Sequence, residues 1–340
     1  MSVPAETLRQ HHARQSIRSE RDRLLGKADR RIDVRKYLPD DGKDRARALL
    51  IAAPMSVFGM LPYIGMILLW FFVYHESFVR TMVWGVALLF LGGLCCVLSL
   101  QRVLGRERRW LWWFGVIWMQ AVLVGAVAGF FLYFRDLAYY WKYEEMRTYT
   151  NVAAAQSSSA FGDGSMFLFT EDSRLDAVRA VGYKSRWTGD TYCVAPIVDV
   201  TMNQANDIYF WAVGDNCCTP RAEFFCDDAA DFTARSALRV LEPDDVARPF
   251  MRWAVRGASY PKYIDAVHLQ EATYFTKAAT RPTLVIWTKD PIAYKDSFYN
   301  NAKQVCVQVS VSYFAIVAIG AYIIAWTLLP ARKKDSVLRH

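Results

Sequence analysis

The sequence predicts an α-helical membrane protein with four transmembrane helices and an extracytoplasmic α+β domain inserted between the third and the fourth. Three observations carry that prediction. Of 340 residues, 101 fall in four runs that contain no Asp, Glu, Lys or Arg. The longest polar interval, residues 135–303, separates the last two runs. Lysine and arginine are densest in the short segments beside the runs. Such a distribution excludes a soluble globular protein and a disordered chain.

The uncharged runs are residues 48–74, 81–101, 110–134 and 304–331. Each exceeds the roughly 20 residues that a helix needs to cross about 30 Å of hydrocarbon. Aromatic residues mark their ends: Trp110, Trp112 and Trp113 open the third run, Tyr133, Tyr139, Tyr140 and Trp141 lie near its other end, and Trp326 lies near the end of the fourth. Such rings favour the headgroup level.

Orientation follows from the basic residues. Residues 1–47 hold 13 Lys and Arg, residues 102–109 hold four, the tail 332–340 holds four, and the turn 75–80 holds one. Basic flanks stay on the cytoplasmic side. The sequence therefore predicts a cytoplasmic tail (1–47), three helices (48–134), an extracytoplasmic domain (135–303), a fourth helix (304–331) and a second cytoplasmic tail (332–340). Residues 136–303 carry 18 basic and 22 acidic side chains, so the overall +8 charge lies in the flanks. That excess fits anionic lipid headgroups and gives no reason to expect nucleic acid as a partner. The N-terminal tail lacks an apolar signal-peptide core, and its eight acidic residues argue against a transit peptide.

With no ionisable side chain inside the runs, a solo pump or ion-coupled transporter is not expected. Gln120, Gln304 and Gln308 are the polar exceptions, suited to hydrogen bonds between helices or to headgroups. Ala121, Gly125 and Gly129 put small side chains on one face of the third helix, which lets another backbone come close. Packing within the chain's own bundle and association with another helix both fit that face. Pro54, Pro62, Gly92 and Gly93 suggest local kinks, and Cys95 and Cys96 reduced packing residues.

In the outer domain, a continuation of the third helix over 136–150 and a flexible Ala/Ser/Gly connection over 151–165 are expected. Short β-prone runs follow at 166–170, 191–201 and 208–213. The second is apolar on both faces, as in a strand covered on both sides, although Pro196 demands a bulge or an edge. Asp244 could cap a helix to about residue 257, whose Arg248, Arg252 and Arg256 form either an anion-binding stripe or a solvated face. A helix over 261–277 and a strand over 283–288 complete the domain.

Four cysteines lie in this domain: Cys193, Cys217, Cys218 and Cys226. An even number in an oxidising compartment reads as two disulfides. A bridge between neighbours 217 and 218 would be strained, so Cys193 takes one of them and Cys226 the other. Structural zinc sites usually show Cys-x-x-Cys or Cys/His spacings, which are missing here, so no metal is expected. Cys306 is left odd. His268 is the lone histidine of the domain and no G-x-S-x-G elbow accompanies it, so neither an enzyme nor a cofactor is expected. The acids Asp227, Asp228, Asp231, Glu242, Asp244 and Asp245 lack calcium-loop spacing and are expected to cap helices.

Two resemblances add context. The order of tail, small outer turn, short inner link, large outer domain and last helix resembles the tetraspanin topology. It departs where Thr219, not glycine, follows Cys217 and Cys218. The strings Tyr192 to Ile197 (YCVAPI), Phe210 to Gly214 with Asn216, Cys217 and Cys218, and Phe225 to Ala229 (FCDDA) are similar to a group of uncharacterised multi-pass membrane proteins of dinoflagellate-type protists. That resemblance implies no known activity.

The expected function is display of a disulfide-stapled domain for binding or scaffolding, in the plasma membrane or an endosomal or vacuolar membrane, with lipid and another membrane protein or a second copy as partners. An auxiliary subunit of a channel or transporter is the alternative, and a membrane-bound hydrolase using His268 the third. Glu20, Leu24 and Leu25 resemble an acidic dileucine sorting signal, and an amphipathic helix explains the same residues. Replacing Leu24 and Leu25 by Ala is expected to move a fluorescently tagged protein to the cell surface; an unchanged distribution in microscopy removes the sorting role.

Overall fold

The computed structural model describes residues 42–100, 109–186, 189–200, 202, 207–219, 222–247, 255 and 259–337. Glu20, Leu24, Leu25 and the arginines 248, 252 and 256 lie outside the described residues. The chain begins with α1 (Gly42–Leu68), extended by a π turn (Leu69–Val73), then α2 (Phe78–Leu100) and α3 (Arg109–Leu132), which runs through a second π turn (Tyr133–Leu137) into α4 (Ala138–Glu145). Strands β1 (Arg147–Val152), β2 (Gly164–Phe169), β3 (Ser173–Leu175), β4 (Val181–Lys184), β5 (Thr191–Asp199), β6 (Asp207–Asp215), β7 (Cys218–Thr219), β8 (Ala222–Phe224) and β9 (Ser236–Arg239) follow. Two helices, α5 (Pro243–Val246) and α6 (Tyr260–Tyr274), precede β10 (Lys277–Trp287) and the long final helix α7 (Pro291–Val337).

Among the described residues, four helical segments are long and apolar enough to cross a membrane: Ala48–Val73, Phe78–Ser99, Leu111–Glu145 and Pro291–Trp326. The third and fourth reach further into the polar interval than the uncharged runs do, because α4 and the start of α7 continue the same helices with polar residues.

Residues 42–57 and 316–337 belong to one compact unit, and the described residues of 58–315 to another. In the first, Ala48 and Ala52 pack with Ala321 and Ala325, all buried, so that only methyl groups separate the two backbones. In the second, glycines set the helix contacts. A Cβ on Gly125 would stand 2.9 Å from the Tyr63 carbonyl oxygen, and one on Gly129 would stand 2.5 Å from Trp70 Cγ. The small-residue face of α3, with Ala121 fully buried, therefore seats α1 of the same chain. A Cβ on Gly115 would stand 2.8 Å from the Gly92 carbonyl oxygen, which holds α2 against α3, and Trp118 Nε1 donates to the Leu88 carbonyl at 2.9 Å. Tyr313 of α7 stacks on Tyr63 with ring centres 4.4 Å apart.

The strands build one mixed sheet in the order β1-β2-β9-β10-β6-β5-β3, with β4 also on β5, while β7 and β8 form a separate hairpin. Pairs β1/β2 and β10/β6 are parallel and the rest antiparallel. Alternation in β5 and β6 divides the core. Tyr192, Val194, Trp211 and Val213 face α6, meeting Tyr263, Ala266 and Val267. Cys193, Ala195, Ile197, Phe210 and Ala212 face the opposite way, onto Phe167, Phe169 and the segments carrying Ala154, Phe224, Cys226 and Ala234. A third cluster joins Met166, Leu238 and Leu241 to Tyr139 and Tyr143 of α4, with Phe298 of α7 against it. Tyr143 also donates to the Arg239 carbonyl at 2.8 Å.

Pro196 occupies neither a bulge nor a sheet edge. It pairs with Trp211 on one side, and on the other it falls between the end of β4's pairing at Val194 and the start of β3's at Ile197. Its carbonyl accepts from Asp176 on that interrupted side. In an antiparallel strand the N–H and C=O of one residue point the same way, so the missing proline N–H faces the gap.

Three expectations are corrected here. The helix ends at Glu145 and the chain is already a strand at Arg147. The connection 151–165 is fixed, not a flexible linker. Asn151 takes a left-handed conformation (φ 60°), Ser158–Phe161 forms a 3₁₀ turn, and β2 starts at Gly164. Its anchor is Asp199, a buried carboxylate that accepts from the backbone N–H of Ala154 (3.1 Å) and Ala155 (2.9 Å) and from the Ser173 hydroxyl. The helix expected to start at Asp244 is described only over Pro243–Val246. Its cap is Glu242, whose N–H donates to Asp245 at 3.2 Å.

Asp199→Ala removes all three acceptor contacts and leaves the buried Ala154 N–H to the Ser173 hydroxyl alone, at a cost of about 1–3 kcal/mol. A lower unfolding midpoint with faster proteolysis within residues 153–163 is expected, and Asp199→Asn should lose less.

Candidate functional site

The most distinctive side-chain cluster lies on the β5 face opposite α6. Cys193 is fully buried there, and its sheet neighbours on both sides are glycines: Gly182 on β4 and Gly214 on β6. That Gly-Cys-Gly row leaves a trough one side chain wide across the sheet. A Cβ on Gly214 would stand 2.5 Å from Cys226 Sγ and 2.7 Å from Cys217 Sγ, and one on Gly182 would stand 2.9 Å from Cys218 Sγ. The trough is filled by sulfur.

Asn216 brings the sulfurs there. Directly after β6 it adopts φ 57°, a left-handed conformation that asparagine tolerates better than most residues. Its N–H donates to the Thr191 carbonyl at 2.7 Å, its side-chain oxygen accepts from the Thr191 N–H at 2.9 Å, and its amide nitrogen donates to Asp190 at 3.2 Å. The chain is thus folded back onto the start of β5, and Cys217 and Cys218 return over the sheet they have just left. Neighbouring residues of extended chain point to opposite sides. Cys218 accordingly reaches Cys193 and Cys217 reaches Cys226, both at disulfide distance, with Cα separations of 5.8 and 5.0 Å. The sulfurs of Cys193, Cys217 and Cys226 all lie within 4.8 Å of one another. Three such sulfurs could hold a metal as thiolates, but paired as disulfides they offer no anionic ligand. In each pair one sulfur belongs to a buried residue, Cys193 or Cys226, and the other to a half-buried one, Cys218 or Cys217.

Among the described residues, Asp227, Asp228 and Asp231 cap no helix, whereas Glu242 caps α5. Asp228 accepts from the Thr288 hydroxyl (3.0 Å) and the Lys289 N–H (2.8 Å), which ties the sulfur-bearing loop to the link between β10 and α7. Asp231 accepts from the Thr233 hydroxyl and N–H and from Lys289 Nζ, and these contacts hold its carboxyl down at about 2. Asp227 is pushed up, first by burial and then by Asp228. Asp215, at the end of β6, is pushed up by burial although the Tyr263 hydroxyl donates to it at 2.8 Å.

Other candidates lie apart from the sulfurs. His268 sits exposed on α6, with Nδ1 2.9 Å from Glu271. Cys306 is unbonded, with its sulfur 4.0 Å from the Ser310 hydroxyl, and Cys95 and Cys96 are unbonded in α2. A cleft of about 330 Å³ opens where α4 meets β1, lined by Lys142, Glu145, Arg147, Asp163, Arg239 and Asp245. Its charges largely satisfy one another: Arg147 pairs with Asp163 and Lys142 with Glu145. Sequence reasoning missed Gly182, Gly214 and Asn216. A glycine directly after the apolar run 208–213 and three residues before adjacent cysteines was the signal available for Gly214.

The chain matches no known protein family, no curated protein and no solved structure.

Gly214→Ala forces its methyl group into both Cys217 and Cys226 sulfurs. A loss of about 1–3 kcal/mol is expected, read as a lower thermal midpoint of the purified protein. Gly93→Ala, which meets nothing within 4 Å, serves as the neutral control.

Proposed function

We propose that this chain is a multi-pass integral membrane protein, with both termini in the cytoplasm, that displays the sheet domain outside for binding or scaffolding and performs no catalysis of its own. The observation that carries this reading is the pairing of all four domain cysteines between two apolar helices. Stable disulfides belong to oxidising compartments, which supports a location of residues 147–287 on the side opposite the basic flanks. The helices α3 and α7 then cross in opposite directions, as a domain inserted between them requires. Residues of α2 such as Val79, Val83, Val86 and Phe90 stay exposed along one face, suited to lipid tails.

The same exposed face supports the second reading, an auxiliary subunit packed on a pore-forming partner. Purification in a mild detergent separates the two: a stoichiometric multi-span partner favours the subunit.

Topology has a direct test. Ser157 is exposed, and Ser157→Asn creates the acceptor Asn-Ser-Ser in the turn before the 3₁₀ segment. Expression in a glycosylating membrane system is expected to add one glycan, seen as an enzyme-reversible mobility shift. A glycan absent from this variant but present on an acceptor engineered into residues 1–41 reverses the orientation.

A further inference from the structure

We propose that the four-sulfur cluster is a thiol-exchange site, which accepts a small thiol of the glutathione class at its Cys217–Cys218 edge and passes the exchange from one disulfide to the other. The inference rests on the disulfide pairing used above and does not depend on which way the chain crosses a membrane.

Three features support it. The two pairs are not separate staples: Cys193 of one lies within 4.8 Å of both sulfurs of the other, so a sulfur freed by the first bond needs little movement to meet the second. Each pair combines one half-buried residue with one buried residue, and the half-buried members, Cys217 and Cys218, are sequence neighbours, which makes them the entrance and their buried partners the leaving sulfurs. Glycines on both sides of Cys193 make the approach, since a methyl group at either position would occupy the space the sulfurs share. A pair of purely structural staples has no need of that convergence, because each would work equally well at a separate point of the sheet.

The steps balance without an added oxidant. An external thiolate attacks Cys218 Sγ; a mixed disulfide forms there, the Cys193–Cys218 bond breaks, and Cys193 leaves with the electron pair as a thiolate. That thiolate attacks Cys217 or Cys226, forming a new bond to one and releasing the other as a thiolate, which takes a proton from solvent. One thiolate has entered, one has left, and two disulfides persist throughout, one of them now shared with the incoming thiol. Attack on Cys217 runs the mirror sequence: Cys226 is released first, attacks Cys193, and Cys218 is freed. Through either entrance, the adduct and the final free thiol end on members of different original pairs.

That outcome defines the experiment. The full-length protein in detergent is treated briefly with a small monothiol, quenched with acid, alkylated, and cut before aspartate and after arginine, which separates Cys193, the Cys217–Cys218 peptide and Cys226. Fragment mass spectra then locate the adduct and the alkyl label. The expected result is an adduct on Cys218 with the label shifted from Cys193 to Cys217 or Cys226, or an adduct on Cys217 with the label shifted to Cys218. An adduct and label confined to one original pair overturns the relay and leaves the disulfides standing, as does failure of the thiol to add at either residue. Alkylation of all four cysteines before any thiol is added overturns the disulfide reading itself. Gly214→Ser, if it folds, is expected to retain both pairs and slow the label shift, whereas Ser173→Ala, remote from the sulfurs, leaves the shift unchanged.

Discussion

The ladder between β5 and β6 constrains everything else in the domain. From Tyr192 opposite Asp215 to Ile197 opposite Phe210, the two strands run antiparallel with all but their ends buried. A sheet whose middle strands are apolar on both faces cannot leave either face to water, because each side chain so exposed forfeits about 1.5–3 kcal/mol of burial. Two covers are therefore obligatory. Helix α6 supplies one with Tyr263, Ala266 and Val267. Among the described residues no helix supplies the other beneath Cys193 and Ala195; the segments around Ala154, Phe224, Cys226 and Ala234 do so. Irregular chain makes a poor cover unless it is fastened. Asp199 fastens the first of these segments by hydrogen bonds, and the paired sulfurs fasten the second covalently.

The apolar helices solve a different problem with smaller means. In a bilayer, whose tails are as apolar as leucine, burial of apolar surface would give helices no reason to associate, and close packing would have to supply it. Gly125 and Gly129 under Tyr63, Met66 and Trp70, Gly115 against Gly92, and alanine on alanine between Ala48, Ala52, Ala321 and Ala325 all bring backbones together by removing side-chain volume. Large rings fill what remains, as where Trp70 lies in a cluster with Tyr74, Phe130, Tyr133 and Phe134 beside the two π turns.

What could be read from the sequence follows the range of the physics involved. Helix length and hydropathy are local quantities, so four apolar helices were legible, as was the burial of residues 191–199 on both faces. The cysteine partners were legible as far as chain stiffness allows: neighbours do not pair, so each must take a different distant partner. Which one each takes depends on the return of the chain at Asn216, a left-handed position that only the hydrogen bonds to Thr191 and Asp190 explain. Residues 151–165 show the opposite case. Their Ala, Ser and Gly content describes a segment with little core of its own, and the carboxylate that orders it lies more than 40 residues away in β5. Pro196 is similar, because the gap that accommodates it is made by two other strands.

The latch between Asp228 and the Thr288–Lys289 link joins two parts of the molecule that the chain order keeps 60 residues apart. Its hydrogen bonds lie within three residues of the first turn of α7 and within two residues of Cys226. Opening either side breaks the same bonds, so concerted exchange of the amide protons of residues 226–234 and the root of α7 is the expected behaviour. A covalent change at Cys226 would thereby bear on the fraying of the first turn of α7, a helix that neither disulfide touches.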